Sequence, residues 1–247
     1  MPMDTVGTTL DLLKDTYNYN HWIYSLIRPY LGDSVLEVGA GIGNLTRFLL
    51  YCQNVVCVEP DPARVSTLHE LAKAHLNLRV VQARAETFSA DEVYFYPFDT
   101  VVCVNVLEHI EDDEKAARKM VEVLRQGGSL LLYVPAVSWV YGSIDVHLGH
   151  RRRYRKADLR ELARNLNLRL AVFHYVNFIG LLGWWWFGRI RKEAQIDPQK
   201  ARRMDRLVPY LSAMECLVRP PLGQSLLAVL ENRPYQGGPV KPSCTSD

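Results

Sequence analysis

The sequence is poor in what would mark a metal or redox protein. Its 247 residues hold five cysteines (Cys52, Cys57, Cys103, Cys216 and Cys244), with no Cys-x-x-Cys pair and no histidines grouped at metal-ligand spacing. Neither a zinc ribbon nor a dithiol centre is expected, and no metal is assigned. Cys57 and Cys103 lie inside apolar runs and read as core residues of a reduced, cytoplasmic protein. The opening stretch MPMDTVGTTLDLLKD has acids and no apolar segment, so no secretory leader is expected. Internal repeats and long low-complexity linkers are absent too, and the chain suits one domain over residues 1–231. Net charge is only +2, but it is unevenly spread. Residues 1–150 carry 11 Lys and Arg against 19 Asp and Glu, a net of −8, whereas residues 151–247 carry 18 against 8, a net of +10. A basic second part suggests an anionic partner there, or a dipolar but inert surface.

What is present is an alternation of short apolar runs and amphipathic segments. Thr16–Tyr30 reads as an aromatic-rich helix. Strands are predicted at Ser34–Val38, Asn54–Val58, Leu78–Gln82, Phe98–Val104 and Gly128–Val134. Helices are predicted at Asn44–Tyr51, Pro62–Ala74 and Glu111–Arg125, the last acidic at its start and basic at its end, as the helix dipole favours. The strands are continuous apolar runs, the signature of a parallel sheet covered on both faces. After Pro135 the pattern loosens into a loop at Ser138–Tyr154, a helix at Lys156–Asn165, a strand at Leu168–Tyr175 and an insertion at Asn177–Gly223. A last strand follows at Ser225–Glu231. Residues 232–247, with three prolines and two glycines, read as a disordered tail.

The first strand ends in Glu37 and runs into a turn with Gly39, Gly41 and Gly43. A triphosphate loop would need a Lys after its last glycine, and none follows. A dinucleotide loop would place its third glycine one residue later. Glu37 would repel a pyrophosphate but suits a cationic amino group. Glu59, 20 residues after Gly39 at the end of the second strand, stands where an acid would bind ribose hydroxyls.

With these residues in view, the chain over about 15–175 resembles the class I S-adenosylmethionine (SAM)-dependent methyltransferases. VLEVGAGIG (35–43) is similar to their glycine motif and VEPD (58–61) to their acidic motif. FDTVVCVNVLEHIED (98–112) and LRQGGSLLLYVP (124–135) are similar to the motifs at strands four and five. The closest resemblance is to small-molecule members with a VLEHIED signature, some of which share a loop like GHRRRY (149–154). The resemblance implies an α/β fold: a seven-stranded, mostly parallel Rossmann-like sheet with helices on both faces, an antiparallel last strand and a helical insertion before it. It implies SAM as cofactor, with S-adenosylhomocysteine as product. Carried over residue by residue, the cofactor contacts are Glu37, Gly39, Ala40, Gly41, Gly43, Asn44, Glu59, Pro60, Ala85, Glu86, Asn105, Val106 and Leu107. One departure stands at Arg84, where the family often has an acid near the adenine; Glu86 is its expected substitute.

Methyl transfer from a sulfonium mainly requires positioning, plus removal of a proton from the acceptor. His109, just past strand four, is a candidate base, with a structural role as the alternative. His147 and His150, in the loop after strand five, are rivals, and Tyr154 is a candidate for orienting the substrate. Asn105 either contacts the methionine part of SAM or ends its strand by turn chemistry. Tyr19, Trp22, Arg152, Arg153, Trp185 and Trp186 are candidate substrate contacts, and the basic run Arg151–Lys156 is expected to meet an anion or to be a solvated face. Leu170–Gly188 has 19 residues without a charge, the length of a spanning helix, but it includes His174, Asn177 and three glycines, and its first half is needed as a strand. Trp184–Trp186 beside Arg189, Arg191 and Lys192 either roof a pocket, fill a core or lie at a membrane surface. The leading expectation is a methyltransferase for a small, apolar, anionic or lipid-like acceptor, with residues 177–223 as a helical lid and peripheral membrane contact as a variant. The alternatives are a SAM-binding protein that does not methylate, such as a cyclase or partner subunit, and a nucleic-acid methyltransferase. The last is disfavoured because strand four ends in Asn105-Val106-Leu107-Glu108 rather than the Asn/Asp-Pro-Pro-aromatic run that works on base amines, so no nucleic-acid partner is expected. Oligomeric state is not legible.

Overall fold

The computed structural model describes residues 16–193 and 197–233. Seven strands form one sheet in the order β3-β2-β1-β4-β5-β7-β6. In chain order they are β1 (Ser34–Val38), β2 (Asn54–Glu59), β3 (Leu78–Gln82), β4 (Phe98–Val104), β5 (Leu124–Pro135), β6 (Arg169–Val176) and β7 (Ser225–Glu231). β1 to β5 pair in parallel. β7 runs antiparallel between β5 and β6. The order reverses between β1 and β4, which opens a crevice at the carboxyl ends of these strands, the place where open α/β sheets bind ligands.

Nine α-helices lie among the described residues: α1 (Tyr17–Ile27), α2 (Thr46–Leu49), α3 (Pro62–Lys73), α4 (Asp113–Glu122), α5 (Ser143–Leu148), α6 (Lys156–Asn165), α7 (Phe178–Trp184), α8 (Pro198–Asp205) and α9 (Val208–Leu217). Local chemistry sets several of their starts. The Asp61 carboxylate accepts from the Ala63 and Arg64 amides, and Pro62 follows in the first turn. Asp112 accepts from the Lys115 amide and so starts α4 two residues later than its composition suggests. Strand β5 begins at Leu124, earlier than the predicted Gly128, because Phe98 of β4 pairs with Leu124 across a register shift. The predicted loop 138–154 contains α5, which ends at Gly149 in the left-handed conformation (φ +74).

The sheet separates two apolar clusters. One holds Leu36, Val38, Phe98, Val101, Leu130, Leu132 and Leu159, and the other holds Trp22, Ile27, Val35, Val55, Val102, Leu131 and Tyr133. Neighbouring residues of one strand thus fall on opposite faces, and both faces are dry, which explains the unbroken apolar runs. Each fully buried Leu or Ile stabilises by ~1.5–3 kcal/mol relative to exposure.

The insertion comprises α7, a π-helical turn over Trp185–Ile190, α8 and α9. It packs against α1, where the Asp205 carboxylate accepts from the Asn18 and Tyr19 amides at 3.2 and 2.9 Å. Among the described residues no helix is long and apolar enough to cross a membrane. The stretch read for a leader lies outside the described residues, as does the expected tail from residue 234 on. Asn232 is held: its amide donates to the Gly128 carbonyl at 2.8 Å.

Candidate active site

A cavity of about 560 Å³ lies over the carboxyl ends of β1, β2 and β4. One wall is the glycine turn. Gly39 has φ +78, and a Cβ there would stand 2.3 Å from Val106 Cγ2, so only glycine fits. Glu37, 4% exposed, ends β1 beneath the turn. Thr46 Oγ1 donates to its Oε2 at 2.6 Å. Burial pushes its carboxyl up to about 7. A cation placed beside it would be strongly favoured and would hold it ionised. Glu59, at the end of β2, is 2% exposed and accepts from the amides of Gly41 (2.9 Å) and Asp61 (3.2 Å), with Arg64 Nη1 3.6 Å away. These contacts fix a carboxylate at the cavity wall.

Of the residues expected around the cofactor, Glu37, Gly39, Ala40, Gly41, Asn44, Glu59, Pro60, Ala85, Glu86, Asn105 and Val106 line this cavity. Asn105 does so with φ +53, so its turn conformation and its place at the wall occur together. Arg84 and Glu86 are both at the wall, 3.4 Å apart. Two expected residues stand off it. Gly43 has its α-carbon facing Leu68 and Leu71 of α3, and Leu107 is fully buried in the apolar cluster on the far side of the turn.

The substrate-side expectations fare differently. Tyr19 lines the cavity together with Asn20 and Ile23, which share its face of α1 and which the aromatic pattern did not single out. Trp22 points the other way, into the core. His109 lines the cavity, but burial and the neighbouring His150 lower it to about 4. It is therefore neutral and a weak base at pH 7, which speaks against general base catalysis by this ring alone. His147 lies on α5 away from the cavity. Tyr154 is 4% exposed and donates to Asp113 at 2.6 Å, a locked hydroxyl rather than a free one.

The basic run is spent on internal partners and does not face the cavity. Arg153 is buried, with Nε 2.8 Å from Asp145 Oδ1 and Nη1 donating to the Ala136 carbonyl at 2.7 Å. Arg152 bridges Asp113 (3.0 Å) and the carbonyls of Ile110 and Glu111. Arg155 pairs with Asp158, and Lys156 lies 4.6 Å from the Tyr175 ring centroid.

Asp145, which its sequence context did not mark, is the hub of this region. Besides Arg153 it accepts from Trp184 Nε1 at 2.9 Å and meets His150 Nδ1 at 2.9 Å. Of the three tryptophans, Trp184 is thus tied down, Trp185 packs against the core and Trp186 is 49% exposed. None lines the cavity, and neither does any other described residue of the insertion, whose described part flanks the site through α1 instead of roofing it.

Residues 36–130 match the profile of a methyltransferase domain family. The chain is 45% identical over 71 residues to a probable ribosomal RNA small subunit methyltransferase A of Methanosarcina mazei, spanning 28% of this chain and 24% of that protein. It is 30% identical over 110 residues to a ubiquinone biosynthesis O-methyltransferase of Albidiferax ferrireducens, spanning 43% and 42%. The matches therefore cover less than half the length of either relative. Among solved structures, a phosphoethanolamine N-methyltransferase of Haemonchus contortus in complex with SAM superposes with a TM-score of 0.57 at 18% identity, over 86% of this chain and 52% of that one. The fold is that of the class I methyltransferases.

Proposed function

We propose, for a chain that carries a methyltransferase domain on the class I methyltransferase fold, that it binds SAM in the cavity over β1, β2 and β4 and transfers its methyl group to a small, apolar or lipid-like acceptor. The observation that carries the first half is the pair of buried carboxylates around a glycine turn. Glu37 suits the ammonium of the methionine moiety. Glu59 suits the ribose hydroxyls, which donate to a carboxylate in short, charge-assisted bonds. Glu37, beneath the glycine turn, opposes the pyrophosphate of a dinucleotide. Bound SAM supplies an activated methyl group, and the protein's part is to align it with the acceptor. Asn105, Val106 and His109 form the wall at the end of β4, and Tyr19 and Ile23 of α1 close the opposite side.

Support for an apolar or lipid-like acceptor comes from the insertion. Leu182, Trp186, Ile190, Leu207, Tyr210, Met214, Leu217 and Val218 are exposed there among Arg189, Arg191, Lys192, Lys200, Arg202, Arg203 and Arg206. Large exposed apolar side chains interleaved with cations fit the surface of an anionic bilayer, from which such an acceptor would be drawn. Methyl transfer from SAM labelled in its methyl group, offered a lipid extract, a polar small-molecule fraction and total RNA, tests the reading. Label in the lipid fraction supports it. Label confined to RNA would replace it with the activity named for the archaeal relative. SAM binding with no transfer to any fraction would favour a cofactor-binding protein that does not methylate.

A further inference from the structure

Beside the cavity wall lies a cluster that the cofactor does not account for. Glu108 is fully buried, and neither of its carboxylate oxygens has a hydrogen-bond partner. The buried Arg153 guanidinium is near enough to act on Glu108 through its charge, yet its Nη2 is also without a hydrogen-bond partner, so the carboxylate oxygens are left open to an occupant. Glu108 and His109 share the short 3₁₀ turn Leu107–His109 after β4. The loop after α5 is tied to that turn: the Arg151 amide donates to the Glu108 carbonyl at 2.8 Å and Arg151 Nε to the His109 carbonyl at 3.1 Å. This brings His150 Nε2 to 4.0 Å from Glu108 Oε1, and the two imidazoles to a centroid distance of 4.9 Å.

We infer that Glu108, His109 and His150 form a binding site for one divalent cation of the zinc class. One ligand atom from each lies within 4.8 Å of the others. The Asp145 carboxylate engages His150 Nδ1 at 2.9 Å, which leaves Nε2 free to ligate; a carboxylate behind a ligating histidine is the usual supporting arrangement at such centres. Asp145 is itself fixed by Arg153 and by Trp184, whose ring stacks parallel to His150 at 6.4 Å and covers it. Two imidazole nitrogens and one carboxylate favour zinc, manganese or iron over magnesium and calcium, which take oxygen ligands. Bonds of ~2.0–2.2 Å in tetrahedral geometry need ligand atoms ~3.3–3.5 Å apart, so the three side chains close by about 1 Å around the ion. The His109 ring is shared with the cavity, so the ion's remaining positions face the place where an acceptor would stand. Only that last point rests on the methyl-transfer reading.

Sequence spacing pointed to no metal because His150 is 41 residues from His109 and only the fold joins them. The test is metal binding by the full chain after treatment with a chelator and dialysis. Titration against a chromophoric competitor should show one Zn²⁺ or Mn²⁺ per chain at micromolar or tighter affinity, with Mg²⁺ much weaker. Glu108→Gln should weaken Zn²⁺ binding at least 100-fold, and Asp145→Asn roughly 10–100-fold through loss of the supporting carboxylate. Zn²⁺ should raise the unfolding temperature of the wild type and leave that of Glu108→Gln unchanged. If Glu108→Gln does not fold, His109→Ala, whose ring borders open space, reports the same loss. Absence of stoichiometric binding, or equal affinity in wild type and Glu108→Gln, overturns the inference. Because SAM binding is measured separately, a protein that binds SAM but no metal refutes this site and leaves the methyl-transfer reading intact.

Discussion

The two halves of the molecule use charge in opposite ways. In the first, Glu37 and Glu59 sit at strand ends, and each turns a carboxylate toward the cavity. In the second, residues 145–158 carry a denser set of charges, yet Arg152, Arg153 and Arg155 each find an acid within the fold. Charge at the end of a parallel strand is placed by the strand itself, so its role can be read locally. Charge in a loop is assigned by whatever the loop packs against. Four arginines in five residues therefore look like an anion site and serve instead to hold a loop in place.

The largest effect should come from breaking that structural half. Arg153→Ala leaves Asp145 buried with its guanidinium partner removed and should destabilise the protein by about 3–5 kcal/mol in chemical denaturation, the range for a severed buried ion pair. Arg155→Ala removes a solvent-exposed, screened pair with Asp158 and should cost far less. Comparable losses for the two would mean that the loop's charges are not divided as the contacts indicate.

Glu59→Ala sharpens the comparison from the other side. It should weaken SAM binding by roughly 1.5–3 kcal/mol per charged hydrogen bond lost. Calorimetry should find Arg152→Ala without effect on SAM affinity, because Arg152 does not reach the cavity.

Much of the first half was legible. The strand ends, the glycine turn and the acids follow from residues within about 25 positions of each other, and eleven of the thirteen expected cofactor neighbours line the cavity. Gly43 and Leu107 miss because a motif records what the turn needs as well as what the ligand touches. Trp22 misses by one position on a helix, where a step of one residue turns a side chain about 100°. The Asp145–His150–Arg153–Trp184 network was illegible for another reason. Its members are joined only when the loop after β5 folds back on the turn after β4 and the insertion lays Trp184 over both.

The pH dependence offers a smaller effect with a definite sign. Burial raises the Glu37 carboxyl in the folded protein to about 7, well above the ordinary carboxyl value. Its contribution to stability is thus fully present below its unfolded value and is lost as pH rises through about 7. SAM requires the ionised form, so its affinity should fall by up to tenfold per pH unit below 7 and level off above it. Glu37→Gln should abolish this slope, and a slope that survives would place the titrating group elsewhere. The smallest effect is expected at Trp186, half exposed on the insertion. Trp186→Ala should change stability by no more than ~0.5 kcal/mol and leave SAM affinity alone, while reducing flotation with anionic liposomes.

The central claim is that the acids and glycine turn of the first half hold SAM. Calorimetric titration of the purified chain with SAM, S-adenosylhomocysteine and NAD tests it most directly. The account predicts one site per chain for SAM and its product at roughly micromolar affinity, about −8 kcal/mol, and no binding of NAD. Clear NAD binding with no heat from SAM or S-adenosylhomocysteine would contradict it.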